Sequence, residues 1–220
     1  MARKFVYSWY KISAYVAGAI AIVLAMGVWN LQQRMVLASM AVLFLHFFEE
    51  FGCPGGFPRM GLYVEMKITD RDARHWSLNQ LNALFGNWWF AIVVFGSALA
   101  LPDVRFLTLT VALFAFLEVA MHLMGFPLGI KRLYNPGLGT AVFGLLPVSL
   151  WYLAQTVPTG AYTGWDVLLA LAWIVFNYWL VFRSPLYTWM GSKSGTWAFT
   201  EEEVALSDPF LKNVDLRAKR

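Results

Sequence analysis

Six stretches of mostly apolar residues, at 8–29, 35–52, 80–101, 106–126, 138–157 and 165–183, decide most of what this chain can fold into. Each is close to the ~20 residues a helix needs to cross the hydrocarbon of a bilayer. None alternates with period two over ten positions, so a membrane barrel is not indicated. The stretches are rich in Leu, Ala, Val and Phe and read as helices, which satisfy their own backbone where lipid offers no hydrogen-bond partner. The chain is 59% hydrophobic and 14% charged, against ~25% charged in a typical soluble domain. Its single cysteine, Cys53, permits no intrachain disulfide. An ordinary soluble enzyme, a disordered chain and a disulfide-stapled secreted domain are thereby excluded. The expected fold class is all-α, a polytopic membrane bundle of about six transmembrane helices over residues 1–183, followed by a polar tail over 184–220.

Positive charge sets the orientation. With six spans both termini share a side, and that side collects Arg3, Lys4, Lys11, Arg59, Lys67, Arg71, Arg74, Lys131, Arg132, Arg183, Lys193, Lys212, Arg217, Lys219 and Arg220. Only Arg34 and Arg105 fall on the other. Both termini are therefore expected in the cytoplasm, in a multi-pass protein of the cell or inner membrane. The basic N-terminus before a long apolar run reads as an uncleaved first span. Trp and Tyr near the span ends, such as Trp9, Tyr10, Trp29, Trp151 and Trp165, read as an aromatic belt. The net charge of +4 needs nothing beyond the orientation rule, so no nucleic-acid partner is indicated. In the tail, Thr200 with Glu203 forms a capping-box pattern and Asp208-Pro209 a second helix start. The tail is expected to pack on the bundle or to be partly disordered.

Polarity enters the membrane at few places. Ten of the thirteen acidic residues, Glu65 among them, are assigned to loops, span ends or the tail. Glu49, Glu50 and Glu118 are not, and His46 and His122 also lie in apolar runs. An ionisable residue inside a span costs ~2.5–3.5 kcal/mol on insertion scales, so such residues mark functional sites by default. His46, Glu49 and Glu50 stand at i, i+3 and i+4 and share one helix face; Glu118 and His122 stand at i and i+4 and share another. Both groups fall toward the cytoplasmic ends of their spans. Asn79, Gln80, Asn82 and Asn87 enter at the same level, as do Tyr134, Pro136, Gly137, Thr140, Asn177 and Trp179. The expectation is one polar cavity open to the inner leaflet. Its catalytic group is His46, Glu49, Glu50, Glu118 and His122, with Asn79, Asn82, Asn87, Tyr134, Asn177 and Trp179 binding substrate. His75 is expected to be solvated, and Cys53 to be a free buried thiol.

His46-Phe47-Phe48-Glu49-Glu50, a second histidine at His122 and Tyr134-Asn135-Pro136-Gly137, taken in this order, resemble the family named for its HXXEE motif. The resemblance covers roughly residues 35–155. It implies an integral membrane protein and gives weight to His46, Glu49, Glu50, His122, Tyr134, Pro136 and Gly137. That family is of unknown function, so the resemblance implies no reaction. A looser analogy runs to the emopamil-binding sterol isomerase family, whose His-x-x-x-Glu pair and further membrane Glu are similar to His46/Glu50 and Glu118.

Three functions fit these residues. The first is acid–base chemistry on a lipid or isoprenoid-like substrate, isomerase- or cyclase-like. One of the paired carboxyls would hold a proton, a histidine would accept one, and aromatic faces would stabilise cations. The second is a divalent transition metal (Zn, Fe or Mn) on His46, Glu50, Glu118 and His122, serving a hydrolase or oxidoreductase. The third is not an enzyme but a transporter or a subunit of a membrane complex. The sequence fixes no cofactor beyond that metal option. The expected partner is a lipid or other hydrophobic small molecule, and self-association is left open. No Gly-x-Ser-x-Gly, P-loop or dinucleotide fingerprint occurs, so ATP or NAD use is not indicated.

Overall fold

The computed structural model describes residues 2–216; Arg217, Lys219 and Arg220, counted above with the basic face, lie outside the described residues. Six helices are long and apolar enough to cross a membrane: Trp9–Met26, Leu31–Phe51, Gln80–Ala100, Arg105–Ile130, Leu138–Thr159 and Gly164–Gly191. The described residues contain no strand. Local chemistry starts the spans where the sequence allows it. Asn30 caps the second span and Gln33 reaches back to it; Thr163 and Asp166 do the same for the sixth. Each such box satisfies two of the orphan N–H groups at a helix start.

Three spans contain a widened π-helical turn, at Phe90–Phe95, Met121–Gly125 and Ala141–Leu145. In two of them a proline, Pro127 or Pro147, follows two residues after the wide turn. Proline has no N–H and its ring crowds the preceding turn. A π turn absorbs both defects without ending the helix. This is why the fourth span runs on to Ile130, one turn past the sequence estimate.

Between the second and third spans lies a short helix, Phe57–Met66, too short to cross a bilayer. It starts from Gly56 at φ +99°, and a Cβ there would lie 2.6 Å from the carbonyl oxygen of Leu206. Met60 from this helix packs with Phe126, Ile130, Phe210 and Leu211. The helix is thus held between the fourth span and the tail.

The polar segment that follows the sixth span is docked along the face where the first span begins. Both helix starts read from its sequence are present, at Thr200 and at Asp208. Tyr7 donates to the carbonyl of Thr196 at 3.0 Å, while Tyr10 and Gln80 donate to Glu203 at 2.8 and 2.7 Å. Asp208 takes Arg59 at 2.8 Å and Arg71 at 2.7 Å. The Arg71 hydrogen bond holds the Asp208 carboxyl below the usual carboxylate range. A depressed pKa contributes stability that is complete well above ~3.9 and disappears as the pH falls through the folded value. Cleavage of the tail by added protease is therefore expected to stay constant from pH 8 to about 5 and to rise only below about 4. Asp208→Asn should show the raised cleavage already at neutral pH. A tail equally resistant in that variant would show the clamp to be idle.

Candidate functional site

The second span ends at Phe51, so Glu49 and Glu50 sit in its last turn and His46 one turn above. Across from them, Glu118 closes the regular part of the fourth span and His122 lies inside its π turn. His46, Glu50, Glu118 and His122 meet. His46 Nε2 is 3.6 Å from Glu50 Oε1 and 3.5 Å from Glu118 Oε2. His122 Nε2 is 3.5 Å from Glu50 Oε1 and 3.6 Å from Glu118 Oε2. Two nitrogens and two oxygens thus alternate around a closed ring. Both imidazoles and Glu50 are buried, and the Glu118 side chain is 20% exposed.

The far side of each imidazole fixes which nitrogen carries the proton. Thr140 Oγ1 gives its one hydrogen to Glu49 Oε2 at 2.6 Å, so toward His46 Nδ1, at 2.9 Å, it accepts. Asn135 Nδ2 donates to the carbonyls of His122 and Leu133, which turns Asn135 Oδ1 toward His122 Nδ1 at 2.6 Å. Both Nδ1 atoms are therefore donors, and in the neutral rings both Nε2 atoms present lone pairs to the ring centre. His122 Nε2 is buried without a hydrogen-bond partner.

Distance decides what joins the four atoms. A charge-assisted N–H···O bond spans ~2.7–2.9 Å, and all four separations here are 3.5–3.6 Å. They are too long for shared protons. Glu50 falls outside the group of donor atoms that all lie within 4.8 Å of one another, so a point equidistant from the four atoms lies about 2.4–2.5 Å from each, and the ring must close by a few tenths of an ångström to reach the ~2.0–2.2 Å of zinc bonds to His nitrogen and carboxylate oxygen. His46, Glu118 and His122 each offer a donor atom within 4.8 Å of the others. A divalent cation there would balance the two ring carboxylates, the condition under which buried charge is tolerated. The donor set suits Zn, Fe or Mn. The bonds from each Nδ1 to Thr140 and Asn135 are the outer support that ligating histidines almost always have.

Glu49 is not part of the ring, contrary to the sequence expectation. Its carboxylate faces the start of the fifth span and accepts from Gly139 N at 3.0 Å, Thr140 N at 2.8 Å, Thr140 Oγ1 and, at 3.3 Å, the Tyr134 hydroxyl. It binds the second span to the fifth and holds Thr140 against His46. The Tyr134–Gly137 segment supports the same centre: Tyr134 contacts Glu49, Asn135 orients His122, and Gly137, at φ +100°, lies under both imidazoles. With an ion in the ring, Thr140→Val should leave the fold intact and weaken its binding by ~10–100-fold, measured by competition with a chromogenic chelator. An unchanged affinity would remove Thr140 from the supporting shell.

Of the expected substrate-binding residues, only Asn87 lines the cavity beside the ring. Asn79 caps the third span and also donates to the carbonyl of Met190 at 2.9 Å, and Asn82 donates to Ser77 O at 2.7 Å. Asn177 accepts from Trp89 at 2.8 Å. These side chains are consumed by caps and helix contacts. Trp179 is 48% exposed on the outside of the bundle, and its neighbour Tyr178 takes the place in the cavity wall. Cys53 is exposed rather than buried, because the chain has already turned out of the second span there. His75 pairs with Asp70 at 2.7 Å in an exposed loop.

One cavity residue escaped the sequence reading. Glu65, taken there as a loop acid, sits near the end of helix Phe57–Met66 and lines the same cavity as the four ring residues. Burial, then the Glu50 charge, pushes its carboxyl up to about 7. The rest of the wall is largely apolar, including Phe47, Phe90, Phe114, Leu117, Phe126 and Phe182.

Fold and site together define a multi-pass helical membrane protein with a His/Glu centre held between its second and fourth spans. Residues 36–152, more than half of the chain, match a family described as "Protein of unknown function with HXXEE motif". The chain belongs to that family. No curated protein and no solved structure matches it.

Proposed function

We propose that this protein is a membrane-embedded metal enzyme in which a divalent ion held by His46, Glu50, Glu118 and His122 activates water beside a hydrophobic, chain-bearing substrate. The observation that carries this reading is the ring of four separations at 3.5–3.6 Å with both Nε2 atoms turned inward. Catalytic metal sites keep a coordination position free or gain one during reaction, whereas structural zinc sites are typically rich in Cys. Here there is no thiol ligand, and the centre opens on a cavity. Glu118 is the exposed corner, and a carboxylate can loosen one oxygen to admit water. The apolar wall supports a lipid-like substrate, reached from the cytoplasmic leaflet. Acid–base chemistry without metal at the same residues, the first expectation from the sequence, receives less support, because the separations exceed those of proton-sharing pairs.

The test compares lipid extracts of membranes carrying the wild-type protein with those carrying Glu118→Gln at equal abundance. A lipid species depleted by the wild type and spared by the variant is the expected result. Identical profiles at matched abundance would count against a lipid substrate.

A further inference from the structure

We propose that Glu65 is the catalytic carboxyl that moves the proton at this site, and that the substrate class is an acyl ester of a linear hydrocarbon chain. The inference rests on the metal reading above. The other acids near the ring are already engaged. Glu49 is filled by donors from Tyr134, Gly139 and Thr140. Glu50 and Glu118 belong to the ring. Glu65 alone faces the cavity with no hydrogen bond or ion pair among the described residues. The charged and titratable groups acting on it are Glu50, Glu118 and His122 from the ring and Arg183 from the end of the sixth span. Tyr178 and Tyr187, on either side of Arg183, share the wall and feel the Glu65 charge.

Placing an ionisable side chain against an apolar wall without a partner is costly, which is why such residues mark functional sites by default. Helix Phe57–Met66 holds Glu65 there firmly, clamped at Gly56 by the tail and at Met60 by Phe126 and Ile130. The cavity measures about 90 Å³, and one water needs ~10–15 Å³ of such space. It therefore takes a water and a short run of hydrocarbon chain at once. In the reaction, the Glu65 carboxylate accepts a proton from water as the water oxygen bonds to the acyl carbon. The carbon–oxygen bond to the alcohol then breaks, and Glu65 returns the same proton to the departing oxygen. Ester and water give acid and alcohol, and Glu65 ends as it began.

The experiment uses full-length protein in detergent micelles, loaded with Co(II), and follows the visible cobalt bands against pH. It compares the wild type with Glu65→Gln, which keeps the size of the side chain. The expected result is equal cobalt content and thermal midpoint, with the pH midpoint of the bands moved by about one unit or more in the variant. Glu65→Asp should fall between. The zinc-loaded proteins are then given p-nitrophenyl decanoate. Glu65→Gln should lose ~10²–10⁴-fold in kcat, the usual contribution of a positioned acid–base group, with KM little changed. A wild type that takes up no cobalt overturns the metal reading and this proposal with it. Uptake with an unmoved pH midpoint overturns the role of Glu65 alone. A metal-loaded wild type inert toward the ester overturns the substrate class.

Discussion

On the metal reading proposed above, protein with His122 replaced by Ala is expected to keep its helical fold and lose the divalent ion. The imidazole supplies one of four donors, so its removal should cost more than the ~10–100-fold typical of a supporting residue. The ring then retains one nitrogen and two carboxylates, and Asn135 loses its partner. Some stability is lost as well, because truncating a buried side chain leaves a void and a freed acceptor in Asn135 Oδ1. The measurement is metal per chain after gel filtration, with circular dichroism on the same fractions. A variant that binds metal like the wild type would remove His122 from the ligand set.

Gly137→Ala is expected to disturb the ring more than any other single added methyl. Gly137 sits at φ +100°, where a side chain is strained, and its Cβ would lie 2.8 Å from His122 Nε2 and 2.8 Å from His46 Cε1. Atoms essentially never approach so closely, so both imidazoles must move. Strain at such a backbone position costs ~1–3 kcal/mol, and overpacking typically adds ~1–3 kcal/mol. Moving either ring also breaks its bond to Thr140 or Asn135. The prediction is a clear fall in the thermal midpoint together with loss of metal. Gly18→Ala is the control, since a Cβ there meets nothing within 4 Å. A metal-replete Gly137→Ala protein with an unchanged midpoint would contradict the packing described here.

The spans were legible because each is a run too apolar to be anything else. Their ends were less so. Pro127 looks like a stop to sequence reasoning, but a π turn lets the helix continue. The convergence of His46, Glu50, Glu118 and His122 could be read from i, i+4 spacing within each span together with the common depth of the two groups. Glu49 shows where spacing fails. At ~100° per residue, i+3 and i+4 fall on opposite sides of the His46 direction. Only one of the two adjacent acids can aim at the fourth span, and the other meets the amides of Gly139 and Thr140. The asparagines misled for a different reason. Asn79 with Asn82 is a capping box, which uses polar side chains locally. Glu65 was missed because helix Phe57–Met66 is shorter than a span. The signal was present in the sequence: glycine at 56 and proline at 58 mark a helix start.

The most direct measurement is X-ray absorption on protein purified without added metal or chelator. About one ion per chain should appear, with nitrogen and oxygen neighbours at ~2.0–2.2 Å and the outer scattering pattern of two imidazoles. Protein that carries no transition metal, and takes up none when zinc, iron and manganese are supplied, would contradict the account.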